Sequence, residues 1–365
     1  MPATLNYEWA VTTPEEVGMD AVRLSELDKF LEQWPKHKIH AVIVARRGKL
    51  VLERYFSGVD VRWLQSTPVH FSPSELHDIR SISKSVTSLL IGIARGEGKF
   101  PPLGSSVIDS FPEYADLRTT KNARITFQHL LTMAHGLQWD ERKPWEDPAN
   151  DERQMIEAKD PDRYVMERPM ALPPGMLFNY CGGATSVLGA VLAKAVDGKI
   201  DAYAGEKLFG PLAIKDFEWL GCTGSTEVAA FGGLRLKPRD LAKLGQLMVD
   251  DGRWNGKQVL PSGWVAESTR PRINTFIKTE GYGTLSYGYQ WWLGRTLQSR
   301  HDLPLIAGFG NGGQRLFVVP ELDLVAAINA AHYGSPLMAL IPAAILNRFV
   351  MPAVNDSTDG RNWPR

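Results

Sequence analysis

Three short stretches, far apart in the chain, carry side chains whose types and spacing could do nucleophilic chemistry. The first is Arg80-Ser81-Ile82-Ser83-Lys84-Ser85-Val86-Thr87, which runs on into Ser88-Leu89-Leu90-Ile91-Gly92-Ile93-Ala94. Val86, Leu89, Leu90 and Ile93 recur at helical spacing, and this predicts a buried helix. Ser81 falls at its first turn, where unpaired backbone N–H groups and the positive end of the helix dipole collect. Lys84, three residues on, shares its face. A lysine so placed can activate a hydroxyl that is otherwise a weak nucleophile. Ser-x-x-Lys by itself is a weak signal, because an N-cap serine followed by a solvated lysine is spelled the same way. It occurs once in this chain, at the head of an apolar helix.

The second stretch is Asn179-Tyr180-Cys181-Gly182-Gly183, just before the apolar run Val187-Leu188-Gly189-Ala190-Val191-Leu192. A tyrosine beside a lysine can exist as, or readily become, a phenolate that takes a proton; a core tyrosine with a satisfied hydroxyl is the plainer reading. The third is Gly308-Phe309-Gly310-Asn311-Gly312-Gly313-Gln314, directly before the strand-like Leu316-Phe317-Val318-Val319. Glycines this dense let backbone approach a ligand closely, and an N–H at such an edge can bind an oxyanion. A Gly-rich hairpin turn is the alternative.

The elements that must position these groups follow from pattern. Thr13-Pro14-Glu15-Glu16 announces a helix start, and an amphipathic helix through Leu24, Leu27, Phe30 and Leu31 follows. His40–Ala45 and Leu50–Phe56, joined by a Gly-containing turn, predict a hairpin. Residues 57–79 lack periodicity and predict a loop. Thr126 is placed to cap a helix that carries His129-Leu130-Leu131-Thr132-Met133. Residues 138–153, with Trp139, Trp145, Asp151 and Glu152, predict a long irregular binding loop over the site. Pro238–Met248 predicts a helix, Tyr287–Leu293 a strand, Leu316–Val319 and Leu324–Asn329 two more, and Ala339–Phe349 a closing helix. Strands at both ends and helices between predict an α/β (α+β) fold. One antiparallel sheet is built from both termini and flanked by helices, with a mainly helical lobe inserted. The expected division is 1–80 with 220–365 as the sheet lobe and 81–219 as the helical lobe, the active site lying between them.

Composition narrows the classes. The 365 residues hold 41 Lys plus Arg against 41 Asp plus Glu, so no net field steers nucleic acid or an anionic membrane to the protein. No apolar run is long enough to span a bilayer, and the start shows no signal peptide, which points to the cytoplasm. Cys181 and Cys222 cannot make a disulfide framework or a zinc site by themselves, and the histidines, His135 and His332 among them, show no metal-ligand spacing. No metal or cofactor is expected, and no partner beyond a small-molecule substrate.

The order Ser-x-x-Lys, then Tyr-x-x, then a Gly-rich strand edge resembles the serine β-lactamase and penicillin-binding-protein superfamily. Glu15-Glu16-Val17-Gly18-Met19, the Ser81–Thr87 stretch, His129–Met133, Gly232-Gly233-Leu234-Arg235 and Gly312-Gly313-Gln314 are similar to its class C-like branch, which holds esterases and amidases of the 6-aminohexanoate-dimer hydrolase type. The resemblance runs from about residue 14 to about residue 350. It implies Ser81 as acylated nucleophile and Lys84 as its activator. Tyr180 would be general base and then general acid, with the N–H groups of Ser81 and Asn311 forming the oxyanion hole. Two departures bear on substrate. The family's Tyr-x-Asn has Gly182 at its third position here, and its Lys-Thr-Gly or His-Thr-Gly falls on Gly308-Phe309-Gly310, without a cation to pair with a substrate carboxylate. Gly182, Phe309, Gly310 and Trp145 are the expected substrate-lining residues. A cofactor-free serine hydrolase of carboxylic esters or simple linear amides, with weak or no β-lactam turnover, is the expectation. A β-lactamase or D-Ala-D-Ala carboxypeptidase, and a non-catalytic peptide- or acyl-binding protein, are the alternatives.

Overall fold

The structure is a computed structural model and describes residues 9–62, 65–222, 227–279, 281–296 and 302–355. A 3-10 turn at Glu15–Val17, ended by Gly18 at φ 70°, stands where a helix start was expected. Helix α1 (Ala21–Glu32) follows, with the Asp20 side chain accepting from the N–H groups of Val22 and Arg23. Strands β1 (Ile39–Arg46) and β2 (Lys49–Tyr55) make the expected hairpin. Strands β3 (Ser57–Arg62) and β4 (Gln65–His70) make a second hairpin where a loop was expected. Neither face of that ribbon is buried, so its sequence has no apolar alternation to betray it. Strand β5 (His77–Asp78) then leads into helix α2 (Ile82–Gly96).

The middle of the chain is helical. Helix α3 (Phe127–Leu131) starts at Thr126, whose side chain accepts from the His129 N–H in a capping box. Residues 138–150 are irregular, but the end of the expected loop is helix α4 (Asp151–Glu157), capped by Asn150. Helices α5 (Pro161–Met166), α6 (Gly182–Ala195) and α7 (Ile200–Ala204) follow. Strands β6 (Phe217–Trp219) and β7 (Leu234–Leu236) join β5 in a three-stranded sheet. After helix α8 (Pro238–Val249), the small hairpin of β8 (Arg253–Trp254) and β9 (Lys257–Gln258), and helix α9 (Trp264–Ser268), the chain becomes strands again. These are β10 (Ile273–Thr279), β11 (Gly283–Tyr287), β12 (Trp292–Arg295), β13 (Pro304–Gly310), β14 (Gln314–Val319) and β15 (Leu324–Ala330), followed by helix α10 (Leu337–Ala344).

The main sheet has eight strands in the order β10-β11-β12-β13-β14-β15-β1-β2, and each neighbouring pair is antiparallel. The first strands thus pair with the last. Register sorts the side chains of β13 and β14 onto two faces. An added Cβ on Gly308 would lie 3.0 Å from Ile82 of α2, and one on Gly245 of α8 would lie 3.0 Å from Leu316, the partner of Gly308. So α2 and α8 share one face. Phe309 and its partner Arg315 point to the other, where α10 lies.

Tyr287–Leu293 is not one strand. Gln290 takes φ 64° and separates β11 from β12. Its 1% exposed side chain joins three helices to the sheet. The amide Nε2 donates to the carbonyls of Leu130 and Leu131, its Oε1 accepts from Thr185, and its own carbonyl accepts from Ser85 of α2. Gln290→Ala would leave the buried Thr185 hydroxyl without its acceptor and take one of two donors from each of the Leu130 and Leu131 carbonyls, which keep a backbone N–H. A loss of roughly 2–4 kcal/mol in urea unfolding is expected; a loss within ±0.5 kcal/mol would show that the amide network does not hold the lobes.

Candidate active site

Ser81 is the residue before the first turn of α2, one position earlier than expected, with φ −62° and ψ −6° and no cap hydrogen bond from its side chain. The residue ahead of it, Arg80, is held in the left-handed region at φ 50°. Such strain in a non-glycine residue persists only where surrounding contacts enforce it, and here the Arg80 guanidinium is fixed by Asp78 at 3.2 Å and the Val61 carbonyl at 2.9 Å.

Lys84 is not the solvated lysine of the plainer reading. It is 1% exposed. Its Nζ donates to Ser81 Oγ at 3.1 Å and to the Phe231 carbonyl at 2.9 Å, and stands 4.9 Å from the centre of the Tyr180 ring. Phe231 belongs to the stretch that precedes Gly232-Gly233. Gly233 is required there, because a Cβ would come within 2.2 Å of the Leu220 carbonyl. Ser83 ties the same stretch to α2 by accepting from the Leu234 N–H.

Tyr180 sits at the end of the segment leading into α6, stacked on Trp292 at 5.6 Å and near Tyr287 at 6.5 Å. Ser81 and Lys84, three positions apart, therefore meet Tyr180, about a hundred positions further along the chain. The phenol's proton affinity departs from expectation. Burial first, then the negative charge of Glu141, push its pKa far up, and the interaction with Ser81 only partly opposes them. Tyr180 rests as a neutral phenol, not a phenolate.

The third position of the Tyr-x-x motif is filled from elsewhere. A Cβ on Gly182 would lie 2.6 Å from Glu152 Oε1 and 3.3 Å from Glu141 Oε2. Glu141 Oε2 accepts from the Gly182 N–H at 2.6 Å and from the Trp139 indole at 2.8 Å. Two carboxylates stand where a side chain at 182 would start, and they would have to turn aside to admit one. Loss of solvation and then the neighbouring Glu152 raise the Glu141 pKa to about 7, against the pull of Lys84 and of its two hydrogen-bond donors. Sequence reasoning found Glu152 as a loop residue but missed Glu141, because a single glutamate in an irregular loop carries no pattern. The Trp139-x-Glu141 pairing, indole to carboxylate, was the only local signal.

The other expected residues are spread out. Gly310 lies against Ile79 and Arg80, where a Cβ would meet the Ile79 carbonyl at 2.4 Å. The β12–β13 ladder ends at Trp292↔Ala307, so Gly308–Gly310 present a strand edge without a β12 partner beside the start of α2. Asn311 is exposed in the turn one residue beyond. The Phe309 ring turns onto the α10 face, stacked on Trp292 at 5.4 Å and under the Arg315 guanidinium at 4.7 Å. Trp145 is 41% exposed, and among the described residues no ring contact ties it to the trio. Among the described residues no group of histidine, cysteine, aspartate and glutamate could hold a metal ion, and no helix is long and apolar enough to cross a membrane. Buried Cys181 is pushed well above the ordinary thiol pKa by burial and donates no nucleophile here.

Residues 28–346 match the Beta-lactamase family model. The chain belongs to the beta-lactamase family. It is 25% identical over 331 residues to a 6-aminohexanoate-dimer hydrolase from Paenarthrobacter ureafaciens, spanning 86% of this chain and 78% of that one. A candidate 6-aminohexanoate-dimer hydrolase from Bacillus anthracis has a similar fold, with a TM-score of 0.70 at 21% identity over 94% of this chain and 89% of that one. The hydrolase EstCE1, with promiscuous acyltransferase activity, superposes with a TM-score of 0.67 at 14% identity over 90% and 98%. The mixed α/β fold, with its large antiparallel sheet and flanking helices, is thus that of beta-lactamase and penicillin-binding-protein relatives, and the chain is a serine hydrolase of this family.

The Glu141 carboxyl has a consequence for stability. Its folded pKa of about 7 stands above the ordinary 4.5, so between those values the folded protein keeps a proton that the unfolded chain releases. Its contribution is present below pH 4.5 and lost as pH rises through 7. Glu141→Gln should therefore match the wild type near pH 4.5 and exceed it by a few degrees in Tm at pH 8. Thermal melts across this range check it; parallel curves would exclude Glu141 as the titrating group.

Proposed function

We propose that the protein hydrolyses carboxylic esters or simple linear amides through an acyl-enzyme on Ser81. The observation that carries the reading is the buried Lys84 ammonium donating to Ser81 Oγ at 3.1 Å at the head of α2. In the proposed step, Ser81 Oγ attacks the carbonyl carbon while Lys84 stabilises the developing alkoxide charge. The neutral Tyr180 phenol relays one proton: its oxygen accepts the Ser81 proton as its own O–H passes to the leaving oxygen or nitrogen. The Ser81–acyl bond forms, the bond to the leaving group breaks, and no charge is left on the phenol. Water then enters where the leaving group left, and the same relay runs in reverse. The oxyanion is held by the N–H groups of Ser81 and of Asn311, one residue beyond the free β13 edge.

Charge around the cleft supports esters and linear amides over β-lactams. The segment Gly308-Phe309-Gly310 itself carries no cation, the nearby Arg315 lies over the Phe309 ring on the α10 face, and the Gly182 position is lined by Glu141 and Glu152. A substrate carboxylate entering there meets like charge rather than a partner. The names of the relatives above point the same way.

p-Nitrophenyl butyrate, a linear 6-aminohexanoate oligomer and nitrocefin, assayed side by side, test this. The ester or the linear amide should turn over and nitrocefin should not; fast nitrocefin hydrolysis would reverse the substrate reading. Ser81→Ala should abolish turnover, and equal rates in the two proteins would remove the enzyme reading altogether. Tyr180→Phe should lower kcat roughly 10²–10⁴-fold with little change in Tm. The wild-type kcat/KM should show no limb between pH 8 and 10 from a titrating phenol, since the relay uses the protonated form; a rise of tenfold per pH unit there would favour a phenolate base instead.

A further inference from the structure

The residue ahead of Ser81 is held at both ends. The Arg80 carbonyl accepts from the Ser83 N–H at 2.9 Å and from the Ser83 hydroxyl at 2.6 Å, which fixes it to the first turn of α2. Its side chain, 15% exposed, meets Asp78 Oδ2 at 3.2 Å and donates to the Val61 carbonyl of β3 at 2.9 Å. Asp78 is shared with Arg235 of β7, whose Nη1 stands 3.2 Å from it. Arg235 also donates to Asp60 of β3 at 2.6 Å. The β3–β4 ribbon, wet on both faces, is thus fastened through Asp60 and Val61 to two arginines, one of which is the neighbour of Ser81.

The same guanidinium lies over the Tyr333 ring, 5.1 Å from its centre. Tyr333 in turn covers Gly312, where an added Cβ would come within 2.5 Å of the ring. The Gly312 carbonyl accepts from the His332 N–H at 2.7 Å, so the turn after β13 is tied to the segment that carries Tyr333. On the other side of Asn311, a Cβ on Gly310 would stand 3.1 Å from the Cβ of Arg80. Asn311 is therefore bracketed by two glycines, one pressed on Arg80 itself and one under the ring that its guanidinium covers. Arg80 takes φ 50°, a backbone that glycine adopts freely and other residues adopt under strain. The fold accepts that strain to keep a side chain here, and the ties of that side chain run to the supports of both proposed oxyanion donors.

With Ser81 as the acylated nucleophile, as proposed above, we propose that Arg80 is a positioning residue for the oxyanion hole: its side chain sets the spacing between the N–H of Ser81 and the N–H of Asn311. Arg80 touches neither substrate nor the reacting atoms. It steadies the head of α2 through Asp78 and Val61, and the turn after β13 through Tyr333. A misplacement of about 1 Å in such an arrangement costs roughly a hundredfold in rate, and the loss of one oxyanion donor costs about as much or more. The exposed ribbon serves the site indirectly, by holding the arginine.

Arg80→Gly, Arg80→Lys and Tyr333→Leu test this, with p-nitrophenyl butyrate kinetics, the rate of Ser81 labelling by a fluorophosphonate, and thermal melts. Arg80→Gly removes the ties but relieves the backbone, so Tm should stay within a few degrees of the wild type. Its kcat should fall roughly a hundredfold with KM little changed, the pattern of an interaction realised in the transition state. Labelling should slow by a similar factor, because the phosphoryl oxygen of the probe fills the same hole. Arg80→Lys keeps the charge beside Asp78 without the planar fork and should lie between the two. Tyr333→Leu leaves both Arg80 and Ser81 in place and should reproduce the loss in kcat; it decides alone if Arg80→Gly melts below the assay temperature. Wild-type kcat in Arg80→Gly or in Tyr333→Leu would overturn the proposal, as would a loss confined to KM. A wild type that neither cleaves the ester nor takes the probe would remove the Ser81 reading and the role of Arg80 with it, whereas equal labelling of wild type and Arg80→Gly would remove the role of Arg80 alone.

Discussion

An ammonium group that is 1% exposed has lost nearly all of its water, and the fold must replace it. This requirement at Lys84 organises the site. A buried charge costs several kcal/mol unless hydrogen bonds and nearby charge compensate it. Here the compensation comes from three directions: Ser81 Oγ on the same helix, the Phe231 carbonyl brought in by the turn before β7, and the faces of Tyr180 and Phe231. Each donor of compensation is also a constraint. The Phe231 turn closes only with glycine at 233, Thr87 and Ser83 of α2 tie it down, and α6 must end its approach with the Tyr180 ring facing the ammonium. The placement that sets Lys84 against Ser81 Oγ is the same placement that makes its burial tolerable.

Burial, and behind it a second layer of charge, keep the phenol neutral. Loss of solvation is the largest cause, and the negative charges of Glu141 and Glu152 add to it against the interaction with Ser81. A phenolate next to a carboxylate in a partly dry cleft would be two like charges with little solvent between them. A relay that keeps the phenol neutral avoids that state. The same pair stands where a side chain at 182 would start, so one substitution to glycine changes the rim of the cleft from an amide to an acid. The rim of the cleft is thus acidic, and its charge adds to burial in keeping the Tyr180 phenol protonated.

Much of this was legible in the chain. Where an element is buried, its apolar run or helical spacing marked it: α2, α6, α8, β1, β2, β14 and β15 all announced themselves, as did Thr126 at its cap. Ser81, Lys84 and Tyr180, singled out from their motifs, do lie near one another in the fold. What stayed hidden has physical causes. The β3–β4 ribbon is wet on both faces and so has no alternation. The break at Gln290 depends on a left-handed backbone held by tertiary hydrogen bonds, and no glycine advertises it. Glu141 becomes part of the site only because an irregular loop folds back onto the Gly182 N–H, a contact across 41 residues that no local window contains. The raised pKa of Tyr180 follows from its burial first and from the nearby Glu141 second, and reading lysine and tyrosine alone led to the opposite expectation.

The alternation of β13 accounts for how one strand serves two faces. Gly308 and Gly310 are bare toward α2, which lets Ile82, Ile79 and Arg80 press against the strand and brings Ser81 up to its edge. A side chain at either position would push the nucleophile away. Phe309, between them, must then point to the opposite face, where it packs with Trp292, Tyr282 and Arg315. The family's cation is lost from this segment, and the arginine that the segment does carry, Arg315, is one hairpin turn away on the far side, held by the carbonyls of Gly310 and Gln314. A two-residue period forces that choice: once glycines are required on the catalytic side, a large residue of the strand can be spent only on the other. The positive charge and the aromatic wall on the α10 face are therefore the geometric complement of the bare edge beside Ser81. Trp292, stacked on both Tyr180 and Phe309, is the ring through which the two faces touch.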